Sequence, residues 1–161
     1  MIESIGWQAY PSVRTPVTRH AFGVPKRRRR MIRFGELFQA PDWKTENHVP
    51  VIECPDCVQK DGTFEIRVSI GKEIPHPNTT EHHIRWIKVF YLPDGDRFTY
   101  QLAHVQFSAH GESAAGPDQG PAHTDHSAVV TARLKKSGRI YATSYCNIHG
   151  LWENTRSIQV H

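Results

Sequence analysis

A cysteine and a histidine stand three positions apart in the segment SYCNIHGLW, at Cys146 and His149. The segment PHPNTTEHH over residues 75–83 supplies three more histidines, and ENHVP over residues 46–50 supplies another. A thiolate combined with imidazoles is a ligand set that suits zinc, copper or iron. The Cys-x-x-His pair alone is weak evidence, but together with the two histidine-bearing segments it predicts a transition-metal site.

The backbone around two of these histidine positions is restricted. His76 lies between Pro75 and Pro77. Proline fixes its own φ and favours extended geometry in the residue before it, so His76 is held on a stiff backbone. His82 and His83 open an apolar segment, and successive residues of a strand point to opposite faces. We therefore expect only one of this pair to face the metal site.

Strands must position these side chains. The segment TFEIRVSI (63–70) alternates apolar and polar residues, and HHIRWIKVFYL (82–92) is apolar on both faces, as in a central strand. In residues 97–109 the apolar pattern changes phase, which predicts a β-bulge near Ala103. About seven such segments and no good helical periodicity after residue 50 indicate an all-β, immunoglobulin-like sandwich.

The N-terminal part of the chain has a different charge from the rest. Residues 1–30 contain seven basic residues and one acidic residue, a net charge of +6, whereas residues 31–161 contain 13 basic and 15 acidic residues, a net charge of −2. We expect a basic, flexible or irregular extension over residues 1–40 and one domain over residues 41–161. An arginine run is only a generic signal for phosphate binding, and the acidic body argues against nucleic acid as a partner.

Other features of the composition exclude some classes of protein. No apolar run reaches the 18 residues that a membrane span requires, and no segment has the core of a signal peptide, so we expect a cytoplasmic protein. The three cysteines are an odd number, which argues against a disulfide scaffold. We interpret the pair in CPDC, Cys54 and Cys57, as structural or incidental thiols.

Four longer segments carry a family resemblance. ENHVPVIE, GKEIPHPNTTEHHIRWIKV, FSAHGES and SGRIYATSYCNIHGLWEN resemble the superoxide reductases of the neelaredoxin and desulfoferrodoxin family, in the same order over roughly residues 41–156. The resemblance implies one iron ion per chain with four equatorial imidazoles and one axial thiolate. Carried over by position, the ligands are His48, His76, His82, His149 and Cys146.

The resemblance also implies an activity and its partners. Superoxide is reduced by one electron to hydrogen peroxide without release of oxygen, in a homotetramer that takes electrons from a rubredoxin-like donor. The family has a Glu-Lys-His segment at the first ligand, and its glutamate takes the sixth position on the ferric iron. The resemblance therefore implies a catalytic role for Glu46, which corresponds to that glutamate. Asn47 stands where the family has lysine, and Lys44 is our candidate for a replacement charge.

Two non-catalytic metal proteins are the alternatives. A copper electron-transfer module needs a weak axial ligand such as methionine near the cysteine, but the methionines here are Met1 and Met31. A closed structural zinc site has four ligands, and this chain offers five candidates.

Overall fold

The computed structural model describes residues 30–161, and residues 32–161 form one compact unit. Residues 1–29, which hold most of the expected flexible extension, lie outside the described residues. The expected boundary after residue 40 stays a prediction. Among residues 30–161 no helix is long and apolar enough to cross a membrane.

The described chain is built from strands because its apolar residues recur at every second position. In Thr63–Ser69 the side chains of Phe64, Ile66 and Val68 are buried and those between them are exposed. A short 3-10 helix covers Phe34–Leu37. The eight strands are β1 (Val51–Glu53), β2 (Cys57–Val58), β3 (Thr63–Ser69), β4 (Ile84–Pro93), β5 (Tyr100–Gln106), β6 (Ser127–Arg133), β7 (Gly138–Cys146) and β8 (Gly150–Val160).

These strands form two sheets, with the order β1-β3-β6 in one and β2-β8-β7-β4-β5 in the other. Neighbouring strands are antiparallel, apart from the parallel contact between β2 and β8. Apolar side chains from both sheets form one core, which includes Ile66, Ile87 and Ile140 at 0% exposure. The predicted all-β, immunoglobulin-like class is confirmed, and the eighth strand is the two-residue β2.

The predicted β-bulge is confirmed in β5. Val89 of β4 pairs with Ala103, whereas the next residue, Phe90, pairs with Gln101. Leu102 is therefore the extra residue, and it accounts for the change of apolar phase along this strand.

Two of the segments that carry candidate ligands lie at one end of the five-stranded sheet. Ile84, the first residue of β4, pairs with Cys146, the last residue of β7. Cys146 also pairs with Gly150, whose φ of +79° suits the tight turn from β7 to β8. The register thus places the segment before β4 beside the β7–β8 turn.

Candidate metal centre

Four histidine rings face one another at this end of the sandwich. The ring centroids of His48–His76, His76–His82, His82–His149 and His149–His48 lie 4.6, 4.6, 4.8 and 4.6 Å apart. His48 and His82 are farther apart, at 5.8 Å. The four rings therefore occupy the corners of a quadrilateral in the order His48, His76, His82, His149.

Cys146 brings its sulfur to the same place from the core. Its Sγ and the ligating nitrogens of His48, His76 and His82 all lie within 4.8 Å of one another, and Sγ is 3.7 Å from His149 Nδ1. Cys146 is completely buried, whereas His149 is exposed. The thiol therefore closes the site towards the core, and solvent reaches it from the side of His149.

Hydrogen bonds fix which nitrogen of His48 and His76 faces the cluster. His76 Nδ1 donates to the carbonyl oxygen of Pro77 at 2.6 Å, which leaves Nε2 with a free lone pair. His48 Nδ1 lies 2.5 Å from Glu46 Oε1, and its Nε2 lies 2.8 Å from His149 Nδ1. Metal-binding histidines commonly donate their second nitrogen to a carboxylate or carbonyl in this way.

Two of the ring nitrogens are buried without a partner among the described residues. They are His76 Nε2 and His82 Nε2. Burial lowers the pKa of His76 to about 3 and also lowers the pKa of His82, so both rings are neutral at pH 7. Buried lone pairs without a donor are costly, and a metal ion would satisfy them. The donor set of nitrogens and one sulfur fits a borderline-soft ion such as iron, copper or zinc.

The backbone at His76 depends on a glycine. Gly71 follows β3 with a φ of +76°, and a Cβ at this position would lie 2.5 Å from the backbone nitrogen of His76. A side chain at Gly71 would therefore push the His76 loop away from the other ligands.

Asn147 joins two of the segments that carry ligands. Its Oδ1 accepts from the backbone N–H of His83 at 2.9 Å, and its Nδ2 donates to the carbonyl of Glu81 at 2.7 Å. The residue between these two is His82, and Cys146 directly precedes Asn147. This one side chain therefore holds a histidine and the cysteine in a fixed relation, a role that sequence reasoning missed.

Asn47 makes a similar connection between the first two histidines. Its Nδ2 donates to the carbonyl of Pro75 at 3.2 Å, so the residue before His48 is bonded to the residue before His76. The amide that stands in place of the family's lysine thus has a structural contact of its own.

Glu46 and Lys44 take different positions. Burial opposes ionisation of Glu46, but hydrogen bonds from His48 outweigh it and keep the pKa of this carboxyl below its usual value. Lys44 is exposed, and its ammonium lies 5.7 Å from the centroid of the Trp43 ring. Among residues 30–161, the contact of that ammonium is with the Trp43 ring and not with the four histidine rings, and its role stays a prediction.

Two further aromatic side chains stack on histidines at this end of the sandwich. His110 is only 4% exposed, because its ring stacks on His83 with centroids 3.7 Å apart. Trp152 stacks on the His48 ring with centroids 4.8 Å apart and so forms part of the wall of the site. His82 faces the cluster, whereas His83 stacks on His110.

Comparison with known proteins agrees with this geometry. A family model described as Desulfoferrodoxin matches residues 40–155. The chain is 52% identical over 123 residues to the neelaredoxin of Megalodesulfovibrio gigas, covering 76% of this chain and 95% of that protein. It is 50% identical over 125 residues to the superoxide reductase of Pyrococcus furiosus, covering 77% of this chain and 98% of that protein.

A solved structure shows the same likeness in three dimensions. The superoxide reductase (neelaredoxin) of Archaeoglobus fulgidus in the reduced form superposes with a TM-score of 0.72 at 50% identity, covering 77% of this chain and 99% of that one. With the family model matching well over half of its length, the chain belongs to the desulfoferrodoxin family.

Proposed function

We propose that this protein reduces superoxide by one electron to hydrogen peroxide at a single iron ion, without releasing oxygen. The observation that carries the proposal is the ring of four imidazoles with a buried thiol beside it. Membership of a family whose relatives are superoxide reductases supports the same activity.

The proposed iron ligands are Nε2 of His48, His76 and His82, Nδ1 of His149 and Sγ of Cys146. Iron bound there supplies the single electron that the reaction consumes. The donor set leaves the metal with net positive charge, because four neutral imidazoles and one thiolate cancel only one unit. A small anion is the substrate that such a site favours.

The protein's own groups orient the ligands and control access. The Glu46 carboxylate holds His48 through Nδ1, and Trp152 packs against the same ring. Complete burial of Cys146 keeps water from its sulfur, so the thiolate is reserved for the metal. Superoxide therefore approaches from the solvent side, where His149 is exposed.

Electrostatic capture is expected to be weaker than in a relative that has lysine before the first histidine. Asn47 provides no charge, and its amide is engaged by the Pro75 carbonyl. Lys44 is the proposed substitute, and a rearrangement of its side chain away from Trp43 would be needed.

The remaining parts of the proposal concern partners and location. We propose a rubredoxin-like iron protein as the electron donor and a homotetramer as the assembly, both from family resemblance. The cytoplasmic location stays a prediction from the sequence.

Rapid mixing of the anaerobically reduced, iron-loaded protein with superoxide tests the activity. We expect oxidation of the iron to be accompanied by one peroxide per superoxide consumed and by no oxygen. Oxygen and peroxide in equal amounts would mean dismutation and would contradict the proposal. Purification with stoichiometric zinc or copper, and no reaction after iron loading, would favour a non-catalytic metal domain.

A further inference from the structure

A second group of reactive side chains lies at the other end of the five-stranded sheet. Cys57 is in the edge strand β2, where it pairs with Gln159 near the end of β8, whereas the metal centre lies before the start of β8 at Gly150. Nine residues of strand separate these positions, which corresponds to roughly 30 Å. The group is therefore distinct from the metal centre.

Cys57 has an ordered imidazole beside its thiol. Its Sγ lies 2.8 Å from His161 Nδ1, and the other ring nitrogen, Nε2, lies 2.7 Å from Gln59 Nε2. The side-chain nitrogen of Gln59 can only donate, so Nε2 of His161 accepts and Nδ1 carries the proton. The ring therefore donates a hydrogen bond to the sulfur.

The backbone holds this arrangement in place. The N–H of His161 donates to the carbonyl of Val58 at 3.1 Å, and the N–H of Lys60 donates to the carbonyl of His161 at 2.8 Å. A nucleophile, a histidine and a third group that orients the histidine are the parts of an activated nucleophile. Cys57 is also exposed, so a small oxidant can reach it.

Cys54 offers a contrast only three residues away. It is partly buried and packs against the hydrophobic core. Burial raises the pKa of its thiol, although Arg156 opposes the change. Among residues 30–161, the ligand atoms of Cys54, Cys57 and His161 do not lie close enough together to hold one metal ion, which argues against a second metal site.

We propose that Cys57 is a peroxide-reactive thiol whose sulfur accepts a hydrogen bond from His161, with Gln59 orienting the imidazole. The thiolate sulfur attacks one oxygen of hydrogen peroxide, the S–O bond forms and the O–O bond breaks. Hydroxide leaves and takes a proton from solvent to become water, and Cys57 becomes a sulfenic acid. Sulfur loses two electrons, and the peroxide gains them.

Hydrogen peroxide is the product of the activity proposed for the metal centre. The chemistry at Cys57 does not depend on that source, because peroxide from any reaction would serve. If both activities are present, the fraction of Cys57 that is oxidised would rise with the amount of hydrogen peroxide that the metal centre releases.

Trapping of the sulfenic acid tests this proposal. The oxidised, iron-loaded protein, in which Cys146 is occupied by metal, is treated with hydrogen peroxide and dimedone. Cys54 and Cys57 share the tryptic peptide 45–60, so fragment ions must assign the adduct. We expect the adduct at Cys57, its loss in Cys57→Ser and no change in Cys54→Ser. Equal adducts at Cys54 and Cys57, or none, would overturn the proposal.

The role of His161 has a separate readout in alkylation of Cys57 by iodoacetamide at pH 7. We expect His161→Ala to slow alkylation about tenfold, because the imidazole that contacts and orients the reacting sulfur is lost. His161→Gln, which keeps an N–H donor, should recover part of the rate. An unchanged rate in His161→Ala would refute the assignment.

The two proposals fail separately. Added peroxide tests Cys57 whether or not the chain reduces superoxide. Superoxide reduction measured in Cys57→Ser tests the metal centre alone and is expected to equal that of the unmodified chain.

Discussion

Two groups of histidines adjoin at one peptide bond, between His82 and His83. His82 belongs to the quadrilateral of rings, and its Nε2 has no partner among the described residues. His83 stacks on His110, and its Nδ1 donates to the carbonyl of Thr79 at 2.8 Å. His48 and His76 of the first group are buried as deeply as His83 and His110, so among these buried rings it is the partners of the ring nitrogens, and not the degree of burial, that separate a ligand set from a structural pair.

The structural pair, His83 and His110, differs from the metal centre in the contacts of its ring nitrogens. His110 Nδ1 lies 2.7 Å from Asn78 Oδ1, and His110 Nε2 donates to the carbonyl of Phe107 at 3.1 Å. Both ring nitrogens of His110 thus have a protein oxygen within hydrogen-bonding distance. In the metal centre Nδ1 of His48 and Nδ1 of His76 are engaged in the same way, but Nε2 of His76 has no partner among the described residues, and Nε2 of His48 lies 2.8 Å from His149 Nδ1.

Replacing each neighbour in turn tests the distinction most strongly. His82→Ala removes a proposed ligand, and we expect iron affinity to fall by more than about a hundredfold, beyond the loss typical of an outer partner. His83→Ala should retain iron and lose roughly 1–3 kcal/mol of unfolding free energy, as for other buried polar groups. Iron content and chelator competition distinguish the two, and equal iron loss in both variants would remove the distinction.

Asn147→Ala tests whether the link between the two segments orders the ligands. The variant loses the hydrogen bonds to Glu81 and His83 and leaves every proposed ligand in the sequence. We expect a fall of about 10- to 100-fold in iron affinity and a shifted thiolate-to-iron absorption band. Asn78→Ala, which removes the partner of His110 instead, is the matched control and should leave the absorption band unchanged.

Asn47→Lys tests whether a positive charge can be placed before His48 without disturbing the four histidine rings. At low ionic strength we expect superoxide capture to rise by about tenfold, because a cation near the approach side attracts the anion. Asn47→Ala separates this effect from loss of the bond to Pro75. Equal capture rates for Asn47→Lys and the unmodified chain would show that charge at this position does not assist.

The His83–His110 pair should give the smallest effect, a dependence of stability on pH. Burial lowers the pKa of His110, against the carbonyl of Phe107 and the Glu112 charge, while His83 and Arg85 add to the lowering. The unfolded chain then binds the proton first, so unfolding free energy is lost as pH falls below about 6.5, by at most about 1.4 kcal/mol per unit.

His110→Gln provides the reference for that measurement, with both proteins in the same metal form. The unmodified chain should lose more unfolding free energy between pH 7 and pH 5 than the variant does. Parallel curves for the two proteins would mean that His110 does not contribute.

Much of the fold was predictable because alternating burial leaves a direct mark on a strand. The phase change in β5 located the bulge to within one residue, at Leu102. The two-residue β2 was not predicted, since a strand so short has no periodicity and exists through its contact with β8. The family resemblance supplied the candidate ligands, and the structure brings their rings together.

The contacts around the ligands could not be predicted in the same way. Asn147 lies next to Cys146 in the sequence, but its partners are more than 60 residues away. The burial of His110 likewise depends on stacking against His83 from a different segment. Such contacts depend on how the loops pack together at the end of the sandwich, and this packing cannot be predicted from local sequence patterns.

X-ray absorption at the iron edge of the reduced protein tests the central claim most directly. We expect one sulfur and four imidazole nitrogens around a single iron per chain, with the sulfur contribution absent in Cys146→Ser. A spectrum without sulfur in the unmodified chain, or one unchanged by Cys146→Ser, would contradict the account.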